Sequence, residues 1–179
     1  MKKFLEHINE VDRQFSLKLH LFDRNLIMKM ISHLGNFITI AVYLILFFCL
    51  PVFLFKSLAL FSFISFLINT VIVFVLKYTL RRKRHKMDTS MPVVHRFDPY
   101  SFPSGHIARL AGLIVPAVTI LPLFFVLIIL TPIVAIARIS RGYHFLSDCI
   151  AGLIIGLLSG FFSLFYCLGL VEWLLSLIG

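Results

Sequence analysis

The sequence predicts an all-α integral membrane protein: a compact bundle of about five transmembrane helices preceded by an N-terminal amphipathic interfacial helical segment. Three observations predict it. Sixty per cent of the 179 residues are hydrophobic, 20 of them Phe, and the mean hydropathy is +0.99, beyond the apolar share of roughly half that soluble domains carry. Apolar runs approach the ~20 residues needed to cross a bilayer. Charge is segregated: it fills the N-terminal segment and one loop and is nearly absent from the runs. Nothing in the composition marks a second domain, so residues 1–179 read as one membrane-embedded unit.

From Met1 to Gly35, Phe4, Ile8, Val11, Phe15, Leu19, Phe22 and Leu26 recur at steps of three and four, with Lys2, Lys3, Arg13, Lys18, Arg24 and Lys29 between them. That period suits a helix lying in the membrane interface. Asp23 is a candidate cap for a second helix ending at Gly35. The segment reads as an anchor with no catalytic part, and no small-residue cleavage site marks a signal peptide. Phe37–Phe55 is the first span, Lys56 and Ser57 the turn, and Leu58–Leu76 the second span. Asn69 reads as a helix–helix hydrogen bond within lipid.

Lys77, Arg81, Arg82, Lys83, Arg84, His85 and Lys86 then fall within ten residues, followed by a polar loop to Phe102. Ile107–Leu121 is a short third helix with Pro116 near its end. Leu123–Ala137 is a fourth, with Pro132 predicting a kink. Phe145 to about Leu170 is a fifth, and Val171–Gly179 is a short tail whose Trp173 suits the interfacial belt. Gly152, Gly156 and Gly160 lie four apart, and His144 and Asp148 continue the series backward; each step of four overshoots a turn by about 40°, so His144, Asp148 and Gly152 remain within one broad face. Small residues at that spacing let helices approach closely in lipid.

Ionisable groups at the ends of apolar helices are functional candidates. Pro103-Ser104-Gly105-His106 opens a helix: Ser104 is a good N-cap, and the first amides point outward as an anion site. Gly105 permits close approach of an anion, and His106 stands beside it. Arg138 ends the fourth helix, and five residues containing Gly142 lead through a tight turn to His144. Asp148 follows by four, so its carboxylate can orient one imidazole nitrogen and stabilise developing positive charge. Arg138 offers bidentate recognition of phosphate oxygens. Lys77 and Arg84, two helical turns apart, can project to one side if the second helix continues past the membrane. Such a site could transfer a phosphoryl group largely by positioning and charge neutralisation.

Lys77-x6-Arg84, Pro103-Ser104-Gly105-His106 and Arg138-x5-His144-x3-Asp148, in this order, resemble the three-part signature of the type 2 phosphatidic acid phosphatase family. The likeness is close over residues 77 to 148. It departs at His85, where the family usually has proline, and at Ala137, where it usually has serine. The resemblance implies a metal-independent membrane lipid phosphatase with no cofactor. His144 would be the nucleophile and form a phosphohistidine, Asp148 would orient it, and His106 would protonate the leaving oxygen. Lys77, Arg84, Ser104, Gly105 and Arg138 would bind the phosphoryl oxygens, with Arg141 and Tyr143 at the rim. His7, His20, His33, His85 and His95 match no motif and read as surface or interface residues.

The substrate expected is an anionic phospholipid, saccharolipid or polyprenyl phosphate: phosphatidic acid, phosphatidylglycerol phosphate, a polyprenyl diphosphate or a lipid A phosphate. A lipid phosphotransferase would carry the same motifs, and the rival class is a non-catalytic anionic-lipid binder or transporter. Eight acidic residues, only Asp148 and Glu172 of them beyond Asp98, leave no carboxylate cluster for Mg²⁺ or Ca²⁺. Cys49, Cys149 and Cys167 form neither a disulfide framework nor a metal motif. The net charge of +9 suits anionic lipid, not nucleic acid, since the basic residues flank membrane segments; no obligate protein partner is expected. Five spans put all three motifs on one membrane face. The family places it outside the bacterial cytoplasmic (inner) membrane, whereas the positive-inside rule, counting the basic N-terminal segment, favours the cytoplasmic side.

Overall fold

A computed structural model describes residues 10–12, 14, 15, 18, 30–50, 53–84 and 100–178. Helix α1 runs Phe37–Cys49 and α2 Phe53–Leu80. Helix α3, Gly105–Ile114, continues into a 3-10 turn over Pro116–Thr119. Helices α4, Leu121–Ser140, α5, Leu146–Tyr166, and α6, Leu168–Ile178, complete the order. Among the described residues the one β feature is an isolated antiparallel bridge between Lys83 and Tyr100. Three helices among these residues are long and apolar enough to cross a membrane, Leu54–Leu80, Leu121–Ser140 and Leu146–Tyr166, and three shorter apolar helices accompany them. Most of the reading of Met1–Gly35, Asp23 included, lies outside the described residues.

The bundle is built around α3. All its residues except His106 are buried, and α2, α4 and α5 pack on it. Outward-facing positions are apolar instead, as at Ile38, Val71, Ile129 and Leu158, while Ser62, Ser65 and Asn69 point inward. This inversion of the soluble pattern is what a lipid solvent selects. The α3–α5 contact is set by the glycine face. A Cβ on Gly152 would lie 2.5 Å from the Ser104 carbonyl, one on Gly160 2.9 Å from that of Gly112, and one on Gly156 would run into the Ala108 carbonyl.

The helix boundaries differ from the sequence reading. The first turn falls at Leu50 instead of Lys56-Ser57, because Pro51 follows it; Leu50 is extended at φ −69°, ψ 135°, the conformation a pre-proline residue prefers. The third helix stops at Ile114, since Pro116 has no N–H for the Gly112 carbonyl. The Ser65 hydroxyl donates to that oxygen instead, at 2.9 Å. Asn69 donates to the Ala108 carbonyl at 3.4 Å, the interhelical bond expected of it. The fifth helix breaks at Cys167, and the tail is helical from Leu168 to Ile178. Helix α4 runs unbroken from Leu121 to Ser140 through Pro132.

Candidate active site

The three motifs converge at the end of the bundle where α2 ends and α3 and α5 begin. Helix α2 stops at Leu80, and Arg81 turns the chain with φ +49°, a conformation uncommon outside glycine. Arg84 therefore does not share a helix face with Lys77 as the seven-residue spacing suggested. The Lys83–Tyr100 bridge returns the chain instead, and both cations meet one carbonyl: Lys77 Nζ donates to Tyr100 O at 3.0 Å and Arg84 Nη2 at 3.3 Å. Both side chains are buried.

The start of α3 is pinned to the start of α5, Ser104 N donating to Asp148 O at 2.9 Å. The first intrahelical bond runs from Ala108 N to Ser104 O. The amides of Gly105, His106 and Ile107 precede that ladder and carry the partial positive charge of the helix end. Ser104 occupies the N-cap position, but its side chain caps no amide. It is fully buried beside Gly105.

Helix α4 ends in a Schellman motif. Gly142, at φ +69°, donates from its N–H to Ile139 O at 2.9 Å, and Tyr143 N donates to Arg138 O at 3.2 Å. Glycine fits this left-handed position without strain. The turn lays the Arg138 guanidinium 4.6 Å from the Tyr143 ring centre and delivers His144 beside it. Arg141 donates to the Tyr143 hydroxyl at 3.0 Å.

The His144 ring is defined by two partners that each allow one proton arrangement. Ser101 O lies 2.8 Å from Nδ1 and can only accept, so Nδ1 carries the hydrogen. Arg138 Nη2 lies 3.4 Å from Nε2 and can only donate, so Nε2 presents its lone pair. Burial, then the charges of Arg138, Arg84 and Lys77, push this imidazole well below the ordinary histidine range. The ring is held neutral with Nε2 available as a nucleophile.

Asp148 is fully buried and stands 3.7 Å from His144 Nδ1, beyond the direct hydrogen bond the spacing suggested. Its oxygens are engaged elsewhere. Oδ2 accepts from Phe145 N at 2.8 Å, closing the first turn of α5. Oδ1 accepts from Arg82 Nη1 at 2.7 Å. Arg82 spans two carboxylates, its Nη2 donating to Asp12 Oδ2 at 2.8 Å. Asp12 also accepts from Ser147 N at 3.1 Å and from the Ser147 hydroxyl at 2.5 Å. The N-terminal segment is thus more than an anchor: a buried carboxylate from it is part of the support beneath Asp148.

His106, on α3, lies within charge–charge reach of Arg138, Arg109, His144 and Lys77, so the two motif histidines share one site. Its Nε2 lies 2.5 Å from Asn36 Oδ1. Asn36, Arg82, Asp12 and the Ser101 carbonyl are the contributors the sequence did not reveal. His33 is exposed, as expected; His7, His20, His85 and His95 lie outside the described residues. Among the described residues no three His, Cys, Asp or Glu side chains converge on a point that could hold a metal ion.

Buried cations and the two motif histidines thus gather at one end of a bundle of short and long apolar helices. The PAP2 superfamily model matches residues 58–169, and the chain belongs to that superfamily. Among solved structures, the chain is similar to LpxE from Aquifex aeolicus, with 22% identity and a TM-score of 0.65 over 80% of this chain and 86% of that one. It is also similar to the transmembrane PAP2-type phosphatidylglycerolphosphate phosphatase of Bacillus subtilis, with 22% identity and a TM-score of 0.70 over 97% of this chain and 88% of that one. At this identity the likenesses establish the fold. No curated protein sequence matches the chain.

Proposed function

We propose that residues 1–179 form a single catalytic domain that dephosphorylates a membrane lipid phosphate or diphosphate without a metal, through a phosphohistidine. The observation that carries this is the state of His144: a neutral ring whose Nε2 carries no hydrogen and faces Arg138, within reach of the Lys77 and Arg84 charges. Nε2 attacks phosphorus as the ester P–O bond breaks, and His106 gives its proton to the departing lipid oxygen. Arg138, Lys77, Arg84 and the amide end of α3 neutralise the phosphoryl oxygens, the charge-stabilising work on which phosphoryl transfer depends. Water then attacks the phosphohistidine as His106 takes its proton; the P–N bond breaks and phosphate leaves. Asp148, 3.7 Å from Nδ1, stabilises the positive charge His144 acquires during attack.

Apolar outward faces on the surrounding helices suit a substrate whose tails stay in the bilayer. Of the two similar structures, one is LpxE and the other a phosphatidylglycerolphosphate phosphatase. The second directs attention to phosphatidylglycerol phosphate, alongside lipid A phosphates, phosphatidic acid and polyprenyl diphosphates. The enzyme is placed in a bacterial cytoplasmic membrane with the site on its outer face, Lys77, Arg84 and Arg138 being assigned to phosphate and not to orientation. The test is phosphate release from a panel of these lipids by the purified protein, with EDTA present. Release by the wild type and none by His144→Ala supports the reading; transfer of the phosphoryl group to a second lipid with no free phosphate makes it a phosphotransferase. Release that His144→Ala leaves unchanged overturns it.

A further inference from the structure

The segment just before α1 is gripped by one face of α3. Arg109 Nε donates to the Gly35 carbonyl at 2.9 Å, and its guanidinium lies 4.1 Å from the centre of the Phe37 ring. Gly35 has no room for a side chain, because a Cβ there would lie 2.7 Å from the His106 carbonyl oxygen. His106 and Arg109 are one helical turn apart on the same face, so residues 35–37 are held across both. Asn36 is thereby brought onto the His106 ring. Its Nδ2 donates to His33 Nδ1 at 3.0 Å, which turns Oδ1 toward His106 Nε2, 2.5 Å away.

We propose that Asn36 is a positioning residue for proton transfer: its carboxamide oxygen holds the Nε2 hydrogen of His106, so that Nδ1 is the nitrogen that exchanges a proton with leaving group and water. The inference rests on the reading of His106 as general acid. A carbonyl oxygen accepts and cannot donate, so Nε2 keeps its hydrogen whether the ring is neutral or charged. Nδ1 then gains and loses the proton. In the first step the Nδ1–H bond breaks and the lipid oxygen receives that proton as it leaves phosphorus. In the second, the Nδ1 lone pair takes the proton from the attacking water. Fixing the ring by a hydrogen bond on the nitrogen that does not react is the usual way a catalytic tautomer is set.

The test compares leaving groups. A lipid or other alkyl phosphate needs its leaving oxygen protonated; 4-nitrophenyl phosphate does not. Asn36→Leu should lower kcat for the alkyl ester by roughly tenfold or more, a part of the ~10²–10⁴ that general acid catalysis supplies, with little change in KM. The loss on 4-nitrophenyl phosphate should be several-fold smaller. Asn36→Asp, which keeps an acceptor oxygen in place, should recover most of the alkyl activity. The charges of Arg138, Arg109, His144 and Lys77 act on the ring and His33 bonds Asn36, so these are left unchanged. In ¹⁵N spectra of the detergent-solubilised protein, assigned against His106→Gln, the neutral His106 ring should be the Nε2–H tautomer.

Equal losses on both esters in Asn36→Leu would overturn the proposal, as would undiminished alkyl activity or an Nδ1–H tautomer in the wild type. His106→Ala is the control. If it loses the alkyl and aryl activities alike, the general-acid reading itself fails; if it loses chiefly the alkyl activity while Asn36→Leu does not, Asn36 alone is excluded.

Discussion

His144 and His106 sit at the same end of the bundle but are held by different kinds of structure. His144 is enclosed by the turn between α4 and α5, and its partners are local or rigid: the Ser101 backbone carbonyl and the Arg138 guanidinium, itself fixed by a Schellman turn. His106 is the one residue of α3 that is not buried. Its ring partner is a side chain, Asn36, from a segment 70 positions earlier in the chain. In the proposed mechanism the nitrogens are also reversed: hydrogen on Nδ1 and reactivity at Nε2 in His144, and the opposite in His106. The nucleophile must meet phosphorus along one line, which rewards enclosure within ~0.5 Å of productive geometry. The acid must reach leaving groups of differing shape, and an edge position with a single side-chain partner allows that.

The sharpest way to break this contrast is to remove each ring. His144→Ala should lower turnover by about 10⁴-fold or more on every phosphate ester, because the bond-forming atom is gone. His106→Ala should lower it by ~10²–10⁴-fold on alkyl esters and much less on aryl ones. Steady-state kinetics on paired substrates measures both, and equal profiles for the two variants would abolish the distinction. Next in size is Arg138→Gln, expected to cost roughly 10²–10³-fold in kcat as the loss of one oxyanion donor; near-normal turnover would remove Arg138 from the phosphate site.

Protonation sharpens the contrast further. In the proposed mechanism neutral His144 is the reactive form, so activity should rise with pH through its pKa. Because burial and the Arg138, Arg84 and Lys77 charges hold that pKa well below the usual value, the acid limb of kcat/KM should lie below the ordinary histidine range once the substrate's own ionisation is subtracted. Arg84→Gln removes a cation that opposes the imidazolium, so its limb should move to higher pH. A shift to lower pH, or none, would contradict the electrostatic account.

Smaller effects probe the supports. Arg82→Gln breaks the 2.7 Å bond to buried Asp148 and should cost about 2 kcal/mol, the scale of a charge-assisted hydrogen bond. It should be visible as a lower Tm and a several-fold loss of activity; an unchanged Tm would deny Arg82 its role. Gly156→Ala forces a methyl against the Ala108 carbonyl and should destabilise by about 1–3 kcal/mol as overpacking. Because it separates α3 from α5, it should impair both histidines together.

The contrast also explains what could be read from the sequence. Arg138, His144 and Asp148 were legible because a short turn and one helical period place them, and the glycine face of α5 was legible for the same reason. The convergence of Lys77 with Arg84 was legible in outcome but not in route: the chain turns at Arg81 instead of continuing the helix. Ser101 acts through its carbonyl, a group every residue has, so no side-chain pattern marks it. Asn36 and Asp12 act across 70 and 135 positions, and a single sequence has no period at that range. Helix α1 ends before Pro51, a stop signal present in the sequence, and Lys56 lies within α2.

The most direct measurement is to trap the enzyme during turnover of a ³²P-labelled lipid phosphate, quench it in base and locate the label. The account predicts an acid-labile phosphoryl group on Nε2 of His144, absent from His144→Ala. Label on another residue, on Nδ1, or persisting in His144→Ala would contradict it.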